Sequence, residues 1–200
     1  MSRKFLSGIL VLFLFSCRNH PVVVAPVTPA QPAVTMTIDT SFFPVTSFLK
    51  GQMHEFDSLA VTPLHIVYIK DKADSQWIKR EQLKSFLATF LTPVIAEKNL
   101  KPYFKETRFN DLTMAAVTLS YDQTAPLPDS ISLQSWNVYI DPQSGNVKRI
   151  YIIKNIKTNG QSITQQLTWE NNSSAQIVNI INKPDGSSEL LNREVFIWNF

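Results

Sequence analysis

Few side chains in this 200-residue chain are equipped for chemistry: one cysteine, Cys17, three histidines, His20, His54 and His65, and 16 carboxylates set against 19 basic residues. Three imidazoles, one of them close to the N-terminus, are too few for a metal cluster or a catalytic triad. His54-Glu55 begins like a zinc-peptidase helix, in which a second histidine one turn later completes the metal site, but that position holds Ser58. His54 and Asp57 stand one helical turn apart, a spacing that reads as a surface contact. His65 lies inside an apolar run and reads as a core histidine. No two carboxylates are placed by their spacing as an acid and base across a cleft. With glycine at only 5 positions there is no strained serine elbow, no phosphate-cradling loop and no dinucleotide fingerprint. The sequence carries no signature of an enzyme, a cofactor or a metal centre.

The N-terminus is more informative. Arg3 and Lys4 precede an apolar stretch over residues 5–15, and Leu14-Phe15-Ser16-Cys17 closes it. A membrane-spanning helix needs roughly 20 apolar residues, so this stretch is too short to cross and has instead the layout of a secretory leader. Leu14, Ser16 and Cys17 resemble the lipobox of bacterial lipoproteins: an aliphatic residue, a small residue and then an obligatory cysteine, with Phe15 bulkier than that pattern favours. The resemblance implies cleavage before Cys17, a diacylglycerol on its thiol and a further acyl chain on the new amine. Each buried methylene contributes about 0.8 kcal/mol, so two or three chains would hold the mature protein on a membrane. In such lipoproteins an aspartate after the cysteine signals retention in the inner membrane; Arg18 stands here, which implies the periplasmic side of the outer membrane.

Removal of residues 1–16 takes away Arg3 and Lys4 and leaves 17 basic against 16 acidic residues, a formal charge of +1. Such a balance leaves no electrostatic footprint for nucleic acid. A single cysteine, committed to lipid, leaves no disulfide framework, and an exported chain of this kind must be held by its own core. Residues 18–38, with Pro21, Pro26, Pro29 and Pro32 and almost no charge after Arg18, read as an extended tether. The expected organisation is a signal peptide over 1–16, a lipidated cysteine and tether over 17–38 and one folded domain over 39–200. Limited proteolysis should cut within the tether and leave the domain intact.

The elements expected of that domain are α+β: an α-β-α N-terminal unit packed on a curved antiparallel β-meander. Val45, Phe48, Leu49, Met53 and Phe56 recur at helical spacing over 45–59, with Pro44 suited to the first turn. Residues 64–70 are β-branched and strand-like. A second helix is expected from Asp74 or Ser75 to about residue 97, striped by Trp77, Ile78, Leu83, Phe86, Leu87 and Phe90, with Pro93 as kink or stop. From residue 103 the period changes to two, giving seven strands over 103–109, 113–121, 133–140, 147–156, 162–169, 176–182 and 189–198. Asp141-Pro142, Asn159-Gly160 and Pro184-Asp185-Gly186 supply the turn chemistry, and Asn171-Asn172 reads as a hairpin turn. The Asp141-to-Val147 turn is similar to one found in many exported antiparallel domains, PepSY-like ones among them, and implies a hairpin only.

In strand 147–156 the apolar residues occupy both faces, Val147, Tyr151 and Ile153 on one and Ile150, Ile152 and Ile156 on the other; Val195 and Ile197 oppose Phe196 and Trp198 in the last strand. Two helices cover one face. The other needs a loop, a partner or an apolar ligand, and Tyr139, Tyr151, Trp169 and Trp198 are the candidate lining. The expectation is a lipid-anchored envelope protein that serves as a non-enzymatic binding or structural module, with a periplasmic carrier of lipid or another apolar ligand as the alternative.

Overall fold

A computed structural model describes residues 41–58, 60–158 and 160–199. The segments expected to be leader and tether, with Cys17 and His20, lie outside these residues.

Helix α1 (Val45–Glu55) buries Val45, Leu49 and Met53 on one stripe, and Phe56 continues it past the C-terminus. Strand β1 (Leu64–Ile69) follows, as its β-branched composition predicts. The next segment departs from expectation. Residues expected to begin a long helix form strand β2 (Lys72–Trp77), which pairs antiparallel with β1 from Ile69↔Lys72 to Leu64↔Trp77. Lys70, at φ 53°, makes the tight turn possible in a left-handed conformation that only pairing across the hairpin would select. Every residue of β2 is exposed, so no apolar pattern marked it as a strand. The helix proper is shorter: α2 (Arg80–Leu87), begun where the Lys79 backbone N–H donates to Gln82 Oε1 at 2.9 Å, runs into a single 3-10 turn (Ala88–Leu91). Thr92 is already extended ahead of Pro93, as the residue before a proline prefers, and a one-turn helix α3 (Glu97–Leu100) follows. The N-terminal unit is therefore α-β-β-α.

Seven strands then form the expected meander: β3 (Phe104–Asp111), β4 (Ala116–Gln123), β5 (Leu133–Ile140), β6 (Val147–Thr158), β7 (Gln161–Glu170), β8 (Ser174–Asn182) and β9 (Ser188–Ile197). The described residues make a nine-stranded antiparallel sheet in the order β2-β1-β9-β8-β7-β6-β5-β4-β3, so the first hairpin joins the meander at its last strand. The domain is mixed α and β with the sheet dominant.

One face of the sheet carries the helices. Leu119 and Tyr121 (β4), Trp136 and Val138 (β5), Ile150 and Ile152 (β6), Leu167 and Trp169 (β7) and Phe196 (β9) alternate onto it and join Leu49, Leu83, Leu87 and Phe90 in one core. Two aromatic clusters anchor that core. Trp136 stacks on Tyr121 at 4.5 Å and meets Phe104 at 4.8 Å, while Trp169 meets Trp198, Phe90 and Phe56 at 5.2, 5.7 and 6.1 Å. Val147 also belongs to this core, against the expectation that it shares a face with Tyr151. A bulge at Lys148, where Tyr139 pairs Arg149 and Ile140 pairs Val147, reverses the alternation by one residue.

Candidate functional site

The register divides the four candidate lining residues between the two faces. Trp169 and Trp198, 0% and 3% exposed, point into the helix-covered core and line no open surface. Tyr139 and Tyr151 project from the opposite face, which no helix among the described residues covers, and both are half-buried. Surface depressions of about 700 Å³ beside Trp77 and Arg80 and about 720 Å³ beside Pro126 and Asn155 contain none of the four.

The helix-free face can be followed row by row through the pairing. One row runs Thr118, Tyr139, Arg149 and Glu170. The next runs Asn137, Tyr151, Thr168, Gln176, Val195 and Ile66, and a third Ile153, Gln166, Val178, Arg193 and Tyr68. Apolar, aromatic and amide side chains are interleaved, and nearly all are half-buried by their neighbours alone. Charges are paired within the face: Arg149 bonds Glu170 through Nε, and its guanidinium lies 6.0 Å from the Tyr139 ring, while Arg193 sits 4.0 Å over Tyr68. Asn137 Nδ2 donates to the Tyr139 hydroxyl at 3.3 Å. Burial first, and then the neighbouring Tyr139, raises the Tyr151 phenol above its ordinary range, so the Tyr151 ring stays neutral at physiological pH. These rings and paired guanidinium groups form a firm, mixed surface.

The helix-bearing face holds a second constellation that the sequence did not disclose. At the margin of the core, Lys154 Nζ donates to the Thr89 carbonyl and to Thr89 Oγ1, which donates to Gln165 Oε1 at 2.9 Å. Gln165 Nε2 donates to Asn179 Oδ1 at 3.0 Å, Asn179 Nδ2 to Asn192 Oδ1 at 2.8 Å, and Asn192 Nδ2 to Glu194 Oε1 at 3.2 Å. Glu194 Oε2 takes a 2.9 Å bond with His65 Nε2, and the His65 ring is stacked on Phe196 at 4.3 Å and lies 4.8 Å from Phe86. Every donor from Lys154 to Glu194 points the same way, from a cation to an anion, so the bonds polarise one another. Lys154 is 3% exposed, and burial depresses its pKa to about 8. The chain of bonds consumes one donor and one acceptor of each amide and ties five strands to the 3-10 turn. Its role is to satisfy the polar margin of the core.

His54 and Asp57 meet at 3.6 Å on the surface, with Lys84 also on Asp57; the bond from Lys84 is the main cause that lowers the Asp57 pKa, aided by the charges of Lys84, His54 and Arg80. Among the described residues, no three His, Cys, Asp or Glu side chains stand together as metal ligands. Comparison with protein-family models, with curated proteins and with solved structures found no match to this chain.

Proposed function

We propose that this chain is an envelope lipoprotein, held through acyl chains on Cys17 at the periplasmic side of the outer membrane, whose folded part is a non-enzymatic module that docks a protein partner on the helix-free face of its sheet. The observation that carries the docking reading is that face itself: Tyr68, Tyr139 and Tyr151, with Arg149 and Arg193 already oriented, stand among half-buried Ile66, Ile153, Val178 and Val195 with no helix of the described residues above them. Tyrosine and arginine are enriched at the centres of protein interfaces, where a rigid amphipathic ring contributes area at little entropic cost. A carrier of lipid or another apolar ligand is the alternative. It keeps only two of its four lining residues, since Trp169 and Trp198 fill the core.

A photo-crosslinking side chain at position 151 in the membrane-borne protein should capture one discrete envelope partner. Tyr139→Asp and Tyr151→Asp should each weaken that complex by about 30-fold or more, as expected of a central interface tyrosine. Capture of lipid in place of protein would favour the carrier, and capture of neither would end the docking reading. The anchor is tested separately. Mass spectrometry of the mature N-terminus should find the acyl chains on Cys17, and Cys17→Ser should lose them.

A further inference from the structure

The β3–β4 hairpin holds an apolar side chain away from the rest of the fold. Leu112 is 91% exposed, and Phe109, three residues before it, is 47% exposed. An exposed leucine at a loose loop tip would be unremarkable, but this turn is firmly fixed. Asp111 Oδ1 accepts bonds from the Thr113 N–H, the Thr113 hydroxyl and the Met114 N–H at 3.0, 2.6 and 3.1 Å. Lys148 Nζ, from a different hairpin, donates to the Met114 and Ala115 carbonyls at 3.2 and 3.4 Å, and Arg149 Nη1 reaches the Met114 sulfur at 3.7 Å. Ala115 accepts a left-handed φ of 45° within this arrangement. Six polar contacts thus fix a turn whose outermost side chain is a leucine facing water.

From this we infer that the Leu112 tip is a second, non-covalent membrane contact, inserting into the same bilayer that holds the Cys17 lipid; the inference rests on the lipoprotein reading. The size of the apolar tip selects the occupant. A specific protein interface needs about 800 Å² from each partner, far more than one leucine and a half-exposed phenylalanine supply. Hydrocarbon needs only the side chain: transfer of one leucine shifts a partition constant roughly ten- to hundredfold. That is weak for a free protein and sufficient for a tethered one, because the anchor keeps the tip at high effective concentration beside the bilayer. The reach is adequate. The folded part enters the sheet where Phe43 N–H bonds the Tyr121 hydroxyl, and Tyr121 lies five residues, about 17 Å, along β4 from Ala116 at the hairpin end. Residues 18–40 can span up to roughly 70 Å. Lys148, bonded to the turn itself, would then lie at headgroup level, where a cation favours anionic lipid.

The test uses the mature lipidated protein in vesicles of phosphatidylethanolamine and phosphatidylglycerol. Cys17 is the chain's only cysteine, so with its thiol acylated a Leu112→Cys protein takes an environment-sensitive fluorophore at position 112 alone. The probe there should shift to the blue, brighten several-fold and be quenched by lipids bearing a spin label in their acyl chains. The same probe on Asp129→Cys, beyond the opposite end of β4, should behave as in water. Aqueous emission at position 112 in protein whose acylation has been verified by mass would overturn the insertion and leave the lipoprotein reading intact. A blue shift that acyl-chain quenchers do not touch would mean that protein covers the tip, which also overturns it. An unacylated Cys17 would remove the anchor, and with it both readings.

Discussion

Trp169→Ala should destabilise the folded domain by about 3–5 kcal/mol, read as a fall in the urea midpoint at unchanged slope. Trp169 is fully buried and touches Phe56 at the end of α1, Phe90 in the 3-10 turn and Trp198 after β9, so its removal opens a cavity where three segments meet the sheet. Surrounding rings are fixed by one another and cannot collapse into the space. Tyr151→Asp provides the contrast. Its ring is half-buried on the helix-free face, where a carboxylate can turn to water, and the loss is limited to cross-strand contacts worth about 1 kcal/mol or less. Were Tyr151→Asp to cost as much as Trp169→Ala, the helix-free face would be core, and the docking surface proposed for it would not exist.

The meander was legible because its turns are chemical statements. Gly160 and Gly186 take the positive φ that a side chain resists, and the Asp141 carboxylate accepts the Gln143 and Ser144 N–H groups of its turn. Strand β2 was not legible, for the opposite reason. Trp77, Ile78, Leu83 and Phe86 fit a helical stripe, and nothing local in residues 72–77 competes with that reading; the segment is a strand because β1 offers it a ladder, a long-range effect that no window of sequence contains. Faces within one strand could be read, as Phe196 and Trp198 against Val195 and Ile197 show. Faces compared between strands could not, since the register shifts at Leu133/Ser135, Tyr139/Ile140 and Asn179/Ile180 each change which side chains meet. Val147 is the exception within one strand, because the bulge at Lys148 sets it on the helix-covered face opposite Tyr151, and the unbroken β6–β7 register places Trp169 beside Ile150 on that same covered face.

The polar chain from Lys154 to His65 left only a faint trace in the sequence. Lys154 follows Ile150 and Ile152 at period two and therefore had to face the core, but its partners come from four other strands and a 3-10 turn. Each partner taken alone reads as an ordinary polar residue of a half-exposed strand. Only the pairing Lys154↔Gln165↔Asn179↔Asn192 makes them neighbours.

That burial carries the second large expected effect. Lys154→Met should raise stability at pH 7 by about 1–3 kcal/mol, because it removes a desolvated charge at the smaller cost of the bonds to Thr89 and leaves a side chain of similar length at the margin of the core. Burial lowers the Lys154 pKa to about 8 from 10.5. Between those values the unfolded chain binds a proton that the folded chain has released, so the native protein should gain stability as pH rises from about 8 towards 10.5, and lose that gain as pH falls through 8. The full interval corresponds to about 3 kcal/mol. The variant lacks this dependence, so its advantage should shrink steadily in unfolding curves recorded between pH 7 and 10. Tyr121, whose phenol burial pushes upward, titrates in both proteins and cancels in the comparison. A difference that stayed constant with pH would mean that Lys154 keeps its proton throughout. The carboxylate of Glu194, acting through the aligned bonds of Asn192, Asn179, Gln165 and Thr89, would then outweigh desolvation, and the chain of bonds would be an ion pair conducted across four strands, β6 to β9.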